Sequence, residues 1–336
     1  MNIYKPLLIL ILSVIVISCG RNKLKINISD VEEEVSFVRY EQEFFSLGSG
    51  VDSARLAELH RKYPAFTDLF TYQIIRVGSP ADSTGRGLIR DFLTDTVIQQ
   101  SKKKVDDLFP GDPEFRKSIV RAFRYYRHYF PENPLPTIYT CISGFNESVF
   151  TAQGIIGISL DKYLGSGYRY YPLLDIPRYR QRKMIPAMIP SDVMYTWGMT
   201  EFPISPEATS LVDHMVHEGK LLYFCEAMMP ELADTLLTGY TASQLKWCER
   251  NEPQMWNYLI EHKLLFSTRQ MDIVRYINDG PTTNGFPPES PARTGAWLGW
   301  RIVKAYMEQH PDTTLKQLMA NTRYLEILNT SAYAPQ

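Results

Sequence analysis

One stretch of the chain carries side chains that could hold a metal or move a proton: Leu211-Val-Asp-His-Met-Val-His-Glu-Gly-Lys-Leu-Leu-Tyr-Phe224. On a helix, residues three and four apart share a face, so His214 and Glu218 fall together and His217 lies close beside them. Two imidazoles and a carboxylate on adjacent turns are plausible ligands for a first-row metal such as zinc, with Glu226 or Glu289 as a more distant carboxylate. Leu211, Leu221 and Cys225 continue the His214–Glu218 stripe. The polar group therefore sits in a partly apolar face, where it needs partners.

Hydrolysis would demand more. A zinc-peptidase helix of the form His-Glu-x-x-His uses its two histidines as ligands and the first glutamate as the base for the metal-bound water. Here Met215 stands at the base position and cannot take a proton, and Glu218 stands at the second ligand position. The inverted order, His-x-x-Glu-His, also fails, because the chain reads His-x-x-His-Glu. The expectation is that His214, His217 and Glu218 hydrogen-bond to one another or to neighbouring helices, as buried polar groups must, with no cofactor. A bound zinc without turnover and a working hydrolase are the alternatives. No Gly-rich phosphate loop, Cys-x-x-Cys pair or nucleophile elbow occurs. Asp161 is expected to cap a helix rather than to do chemistry.

The elements that must position these residues follow from apolar spacing. Segments 53–63, 66–77 and 94–108 have helical periodicity, and 113–130 has it most clearly, with Phe115, Ile119, Phe123, Tyr126 and Phe130 recurring among basic residues. Asp112-Pro113 supplies a cap and a first-turn proline, and Pro131 ends the run. Residues 136–142, 148–152 and 154–160 are short β-rich runs separated by turn residues, which predicts a small antiparallel sheet with one apolar face. Residues 161–190 read as an irregular covering loop with short helices. Helices return at about 206–229, 241–263, 269–278 and 291–309. Helices, then sheet, then helices predict one mainly helical α+β domain over 37–336.

The start of the chain gives a location. A polar opening with Lys5 leads into an apolar run from Leu7 to Ile17, which ends in Val16-Ile17-Ser18-Cys19-Gly20. The run is shorter than the roughly 20 residues a membrane span needs, and it fits a signal-peptide core. The aliphatic residue three before the cysteine resembles the bacterial lipobox. That resemblance implies cleavage after residue 18, two acyl chains on the Cys19 thiol and another on its new amine. Several acyl chains give a stable membrane anchor. Residues 19–36 then form a polar tether that leaves the body's orientation open. A formal net charge of −1, from 36 basic and 37 acidic residues, gives no reason to expect a nucleic-acid partner. Cys141, Cys225 and Cys248 read as small buried residues, with a Cys225–Cys248 pair the alternative.

An ordered set of motifs resembles a known family. Besides the lipobox it comprises Ile158-Ser-Leu-Asp-Lys-Tyr-Leu-Gly165, Tyr170-Tyr-Pro-Leu-Leu174, Ile176-Pro-Arg-Tyr179, His214-Met-Val-His-Glu-Gly-Lys220, Tyr276-Ile-Asn-Asp279, Gly285-Phe-Pro-Pro-Glu-Ser-Pro-Ala-Arg293 and Gly299-Trp-Arg-Ile-Val303. Together, across about 37–330, they resemble the gliding-motility lipoprotein B family (GldB). The resemblance implies an envelope lipoprotein, without established catalysis, that assists gliding or a related envelope or secretion assembly through protein contacts. The central helix and the Gly299 helix also resemble zincin-like proteases. That implies a zincin-like scaffold with a small sheet beside the His214 helix, whose metal site is lost or altered, and leaves a membrane-tethered metallopeptidase as the alternative. Surface-exported lipoproteins of this bacterial group carry acidic residues after the cysteine. Gly20-Arg21-Asn22-Lys23 departs from that and implies a body facing the periplasm.

Overall fold

In a computed structural model, the structure describes residues 23–31, 35–111 and 113–336. Cys19 and the expected signal peptide 1–18 lie outside the described residues, as does Asp112. The first part of the body is helical: α1 Tyr40–Phe45, α2 Ser53–Lys62, α3 Pro64–Asp68 running into a π-helical stretch Leu69–Ile74, α4 Ser83–Thr94, α5 Thr96–Leu108 and α6 Glu114–Tyr129. The sheet is built from β1 Phe37–Arg39, β2 Thr137–Cys141, β3 Val149–Ala152 and β4 Ile155–Ser159. After a one-turn stretch, Leu160–Tyr163, come α7 Tyr170–Leu173, α8 Arg178–Gln181, α9 Ile189–Glu201, α10 Leu211–Met228, α11 Asp234–Thr238, α12 Ala242–Glu261, α13 Gln270–Ile277, α14 Thr294–Gln309, α15 Leu315–Ala320 and α16 Tyr324–Thr330. The chain is thus mainly helical α+β.

The sheet differs from the antiparallel expectation. Its order is β1-β2-β4-β3, and only β3 and β4 pair antiparallel; β1–β2 and β2–β4 are parallel. The hairpin between β3 and β4 is local, but β4 inserts between β3 and β2. This requires residues 142–148 to carry the chain past β4. Asp161 holds that crossing. Its buried carboxylate accepts the backbone N–H groups of Ser143 (3.2 Å) and Phe145 (2.6 Å). Asp161 therefore fastens a loop to the strand end rather than capping a helix. Burial pushes its carboxyl up to about 6, against the pull of those two N–H groups.

Side-chain alternation gives the sheet two apolar faces instead of one. On one face Cys141, Phe150 and Ile155 join Tyr40, Phe44, Phe66 and Phe70 in an aromatic cluster, with Tyr139 stacked on Phe66 at 4.1 Å. On the other, Ile138, Ile156 and Ile158 meet the larger core of α6, α9, α10 and α14. The two clusters share the sheet as their common wall. Cys141, Cys225 and Cys248 are all buried and free. The described part of the tether is docked rather than loose. Leu24, Ile26 and Ile28, alternating with polar residues, pack against the larger core, Tyr125 donates to the Ile26 carbonyl (3.3 Å), and Lys25 pairs with Glu231.

The central element is α10. A capping box between Ser210 and Asp213 starts it, and 14 of its 18 residues are buried, so it is enclosed on nearly every side. Its tightest neighbour is α14. A Cβ on Gly219 would sit 2.2 Å from the Gly299 carbonyl atoms, and one on Gly299 would sit 1.7 Å from the Met215 carbonyl oxygen. The two helices cross backbone to backbone, which only glycine permits. Gly299→Ala is therefore expected to lower the stability of the chain by about 1–3 kcal/mol or more, as overpacking does. Gly87, in α4 with open space about its Cβ position, serves as control: Gly87→Ala should be neutral or stabilising by up to about 1 kcal/mol. Thermal denaturation of the two variants checks both; equal melting temperatures would remove the close crossing from the argument.

Candidate functional site

The three side chains singled out on α10 diverge. Glu218 points toward α9 and the start of α14. Tyr195 donates to its Oε2 at 2.6 Å, and Arg293 Nη2 donates to the same oxygen at 2.9 Å and to the Tyr195 oxygen at 3.0 Å. The guanidinium also lies over the Tyr195 ring at 5.3 Å. His217 points the other way, toward α16, where its Nδ1 lies 3.4 Å from the Tyr324 hydroxyl and its ring meets that ring edge-on. His214 is half-buried, and its imidazole makes no hydrogen bond among the described residues. Burial lowers the pKa of both histidines, against the opposing pull of Glu218.

Arg293 reaches this position by an unusual backbone. It precedes the first turn of α14 with φ of 60°, in the left-handed region. A non-glycine residue held there costs free energy, and such strain persists only where surrounding contacts over-determine it. The contacts here are the bonds to Glu218 and Tyr195. Tyr195 is itself held at high pKa by burial, so it stays a neutral hydroxyl that accepts from Arg293 and donates to Glu218.

The donor set does not fit a metal. One oxygen of Glu218, Oε2, already takes two donors, one of them a guanidinium. His217 faces Tyr324 instead of His214. Among the described residues, no three His, Cys, Asp or Glu side chains converge on a point where an ion could sit. Glu226 is committed to Trp300 Nε1 (2.9 Å) and Lys304 Nζ (2.9 Å) on α14, and Glu289 is exposed. Met215, at the position of the peptidase base, is fully buried with its carbonyl against Gly299.

Beside the Glu218 group lies a polar cavity of about 620 Å³. Arg293 and Tyr195 line it, together with Asp192 and Tyr163, whose hydroxyl donates to Asp192 Oδ2 at 2.8 Å. Burial pushes the Asp192 carboxyl up to about 6, partly offset by Tyr163, Lys183 and Arg293. Asp192 and Tyr195 escaped the sequence reading because α9 did. Its apolar residues fall on all sides and leave no stripe, and Pro190 reads as the end of a loop although it occupies the first turn of a helix.

A family model described as gliding motility protein GldB, in its lipoprotein form, matches residues 21–335, and the chain belongs to that family. No curated protein and no solved structure matches the chain.

Two measurements probe the site. Arg293→Met leaves Glu218 buried without its cation and should cost about 3–5 kcal/mol, while adding Glu218→Gln should restore much of that. Simple additivity of the two changes in urea denaturation would show that the pair is not coupled. His217 sets a pH dependence. Its pKa is pushed down to about 4 from 6.5, so the unfolded chain takes up a proton that the folded chain refuses. Stability should fall as pH drops from 6.5 to about 4, by up to about 3 kcal/mol, and this contribution should be flat above. Asp161 and Asp192, raised by burial, act with the opposite sign over much of that range. The test is therefore the difference between wild type and His217→Gln; parallel pH curves would contradict a buried neutral imidazole.

Proposed function

We propose that this member of the GldB family is a lipid-anchored envelope protein that supports gliding motility, or a related envelope or secretion assembly, through protein contacts and without turnover. The anchor is the acylated Cys19, and the body faces the periplasm. The observation that carries the non-enzymatic reading is the Arg293–Tyr195–Glu218 group. A guanidinium occupies the neighbourhood in which a zincin-like helix would need an electrophilic metal, and Met215 lies buried where the base should stand. A cation that cannot lose a proton and has no open coordination position polarises no water. The zincin-like likeness then concerns the scaffold alone, and fold does not establish chemistry.

The anchor reading rests on Val16-Ile17-Ser18-Cys19-Gly20 and on the apolar run before it. Among the described residues, no helix is long and apolar enough to cross a membrane. The periplasmic orientation rests on the basic residues after Cys19. In cells, wild type should incorporate labelled fatty acid and sediment with membranes, and Cys19→Ser should do neither. Protease added to intact cells should leave the body uncut. In a strain lacking the protein, His214→Ala should restore the lost phenotype in proportion to its abundance, and purified protein should carry no stoichiometric zinc. Zinc at one per chain, abolished by His214→Ala, would overturn the non-enzymatic reading. Label retained by Cys19→Ser would overturn the anchor.

A further inference from the structure

The cavity beside Arg293 has two unspent polar groups of opposite sign. Arg293 makes both of its protein hydrogen bonds through Nη2. Nε and Nη1, which carry three of the guanidinium's five N–H donors, have no acceptor among the described residues. Asp192 accepts from Tyr163 through Oδ2, and its Oδ1 has no donor among the described residues. None of these free atoms is among the buried polar atoms left without a partner, and both residues line the cavity. Their unused valences therefore open into it. The Arg293 side chain keeps 20% of its surface.

We propose that this cavity is a binding site for a small zwitterion, a free amino acid or a short peptide, with Arg293 taking the carboxylate and Asp192 the ammonium. The charges around it select this class. Arg293 is balanced by Glu218, and Lys183 is paired with Asp279 at 2.6 Å. Lys162 donates to the Phe145 carbonyl and is itself half-withdrawn from water, while Arg180, Glu147 and Asp175 stand toward the rim. Asp192 is left as the one inner anion without a cationic partner of its own. An anionic ligand drawn to Arg293 meets Asp192, and a cationic ligand drawn to Asp192 meets Arg293. A ligand carrying both charges satisfies both groups, by charge-assisted bonds that are stronger than neutral ones. A volume of about 620 Å³ lies within the range of small-molecule sites. The proposal concerns binding alone and stands whether or not the anchor reading holds.

Proton uptake gives the site a signature. Asp192 is faced by Tyr163 from the turn after β4, by Lys183 before α9, by Asp279 after α13, by Arg293 at the start of α14 and by the buried Cys225 thiol on α10. Burial pushes its carboxyl up to about 6. It is therefore charged near neutral pH, and it loses its attraction for an ammonium group as the pH falls through that value.

The test uses the purified full chain and isothermal calorimetry near neutral pH. Alanine, dialanine and trialanine are titrated beside propionate and propylamine, each of which carries only one of the two charges. At least one of the three zwitterions should bind at one per chain and about tenfold or more tighter than either single-charge probe. Tightest binding of alanine indicates a free amino acid, and tightest binding of the longer probes a short peptide. Asp192→Asn keeps an acceptor for Tyr163 and leaves the Glu218–Arg293 pair intact, so its fold is not at issue. It should weaken the zwitterion by about tenfold or more while leaving propionate no weaker. Lowering the pH to about 5 should weaken the zwitterion on wild type and change nothing on Asp192→Asn. Absence of saturable zwitterion binding to the folded chain, propionate binding as tightly as the best zwitterion, or an unchanged Asp192→Asn variant would each overturn the proposal.

Discussion

Two glycines facing each other across α10 and α14 set the distance on which the rest of the site depends. With Gly219 against Gly299 and Gly299 against the Met215 carbonyl, the helix axes approach more closely than any side chain would allow. That closeness buries Met215 beneath α14 and fixes the height of the α14 N-terminus along α10. Arg293, the residue before that N-terminus, is thereby delivered to Glu218. At the other end of the same contact, Trp300 and Lys304 reach Glu226 two turns further along α10. One backbone crossing thus neutralises two acidic side chains on a helix that has almost no solvent face.

Much of this was legible in the chain itself. The apolar spacing of 113–130, 241–263, 269–278 and 291–309 marks helices that end within a few residues of α6, α12, α13 and α14, because each has a buried stripe of its own. The strand runs were equally plain. What periodicity could not show was anything set by partners distant in sequence. β1 is three residues long and exists because Phe37–Arg39 pairs with Ile138–Thr140, about a hundred residues away. The parallel β2–β4 pairing depends on a crossing fastened by Asp161, and local hairpin signals say nothing of it. The start of α10 was read several residues early. Its capping box uses Asp213 at the position where glutamate or glutamine is the familiar signal, and Ser210 is the cap.

The two cores on either side of the sheet bear on where change can be tolerated. The aromatic cluster of α1–α3 touches the sheet through Tyr139, Cys141, Phe150 and Ile155, on the face opposite to α10. A perturbation in that cluster reaches the Glu218 group through the sheet or through Phe45 and Phe92, which pack against both cores. The cavity, by contrast, is walled by segments that the larger core holds from behind. Asp192 lies one residue from the buried Val193 on α9, and Tyr163 ends the one-turn stretch that follows β4. Its two charged groups are thus mounted on elements fixed by apolar packing, with a strained link in the Arg293 backbone.

The sequence posed a physical question at His214, His217 and Glu218 that spacing alone left open: what satisfies a carboxylate on the half-apolar face of a buried helix? A divalent ion shared with the histidines is one solution. A guanidinium is another, and it differs in kind. It supplies the same countercharge through directional N–H bonds, cannot be displaced by a proton, and accepts no lone pair from water or substrate. Once Arg293 fills that role, Glu218 has its countercharge without the histidines. Burial then decides their state, which is why His217 is held neutral against Tyr324 rather than drawn toward Glu218. The same substitution leaves a residue that still has donors to offer. An arginine that neutralises Glu218 through one nitrogen keeps the donors of the other two unspent at the cavity wall, so the group that balances a buried carboxylate still has hydrogen bonds to give.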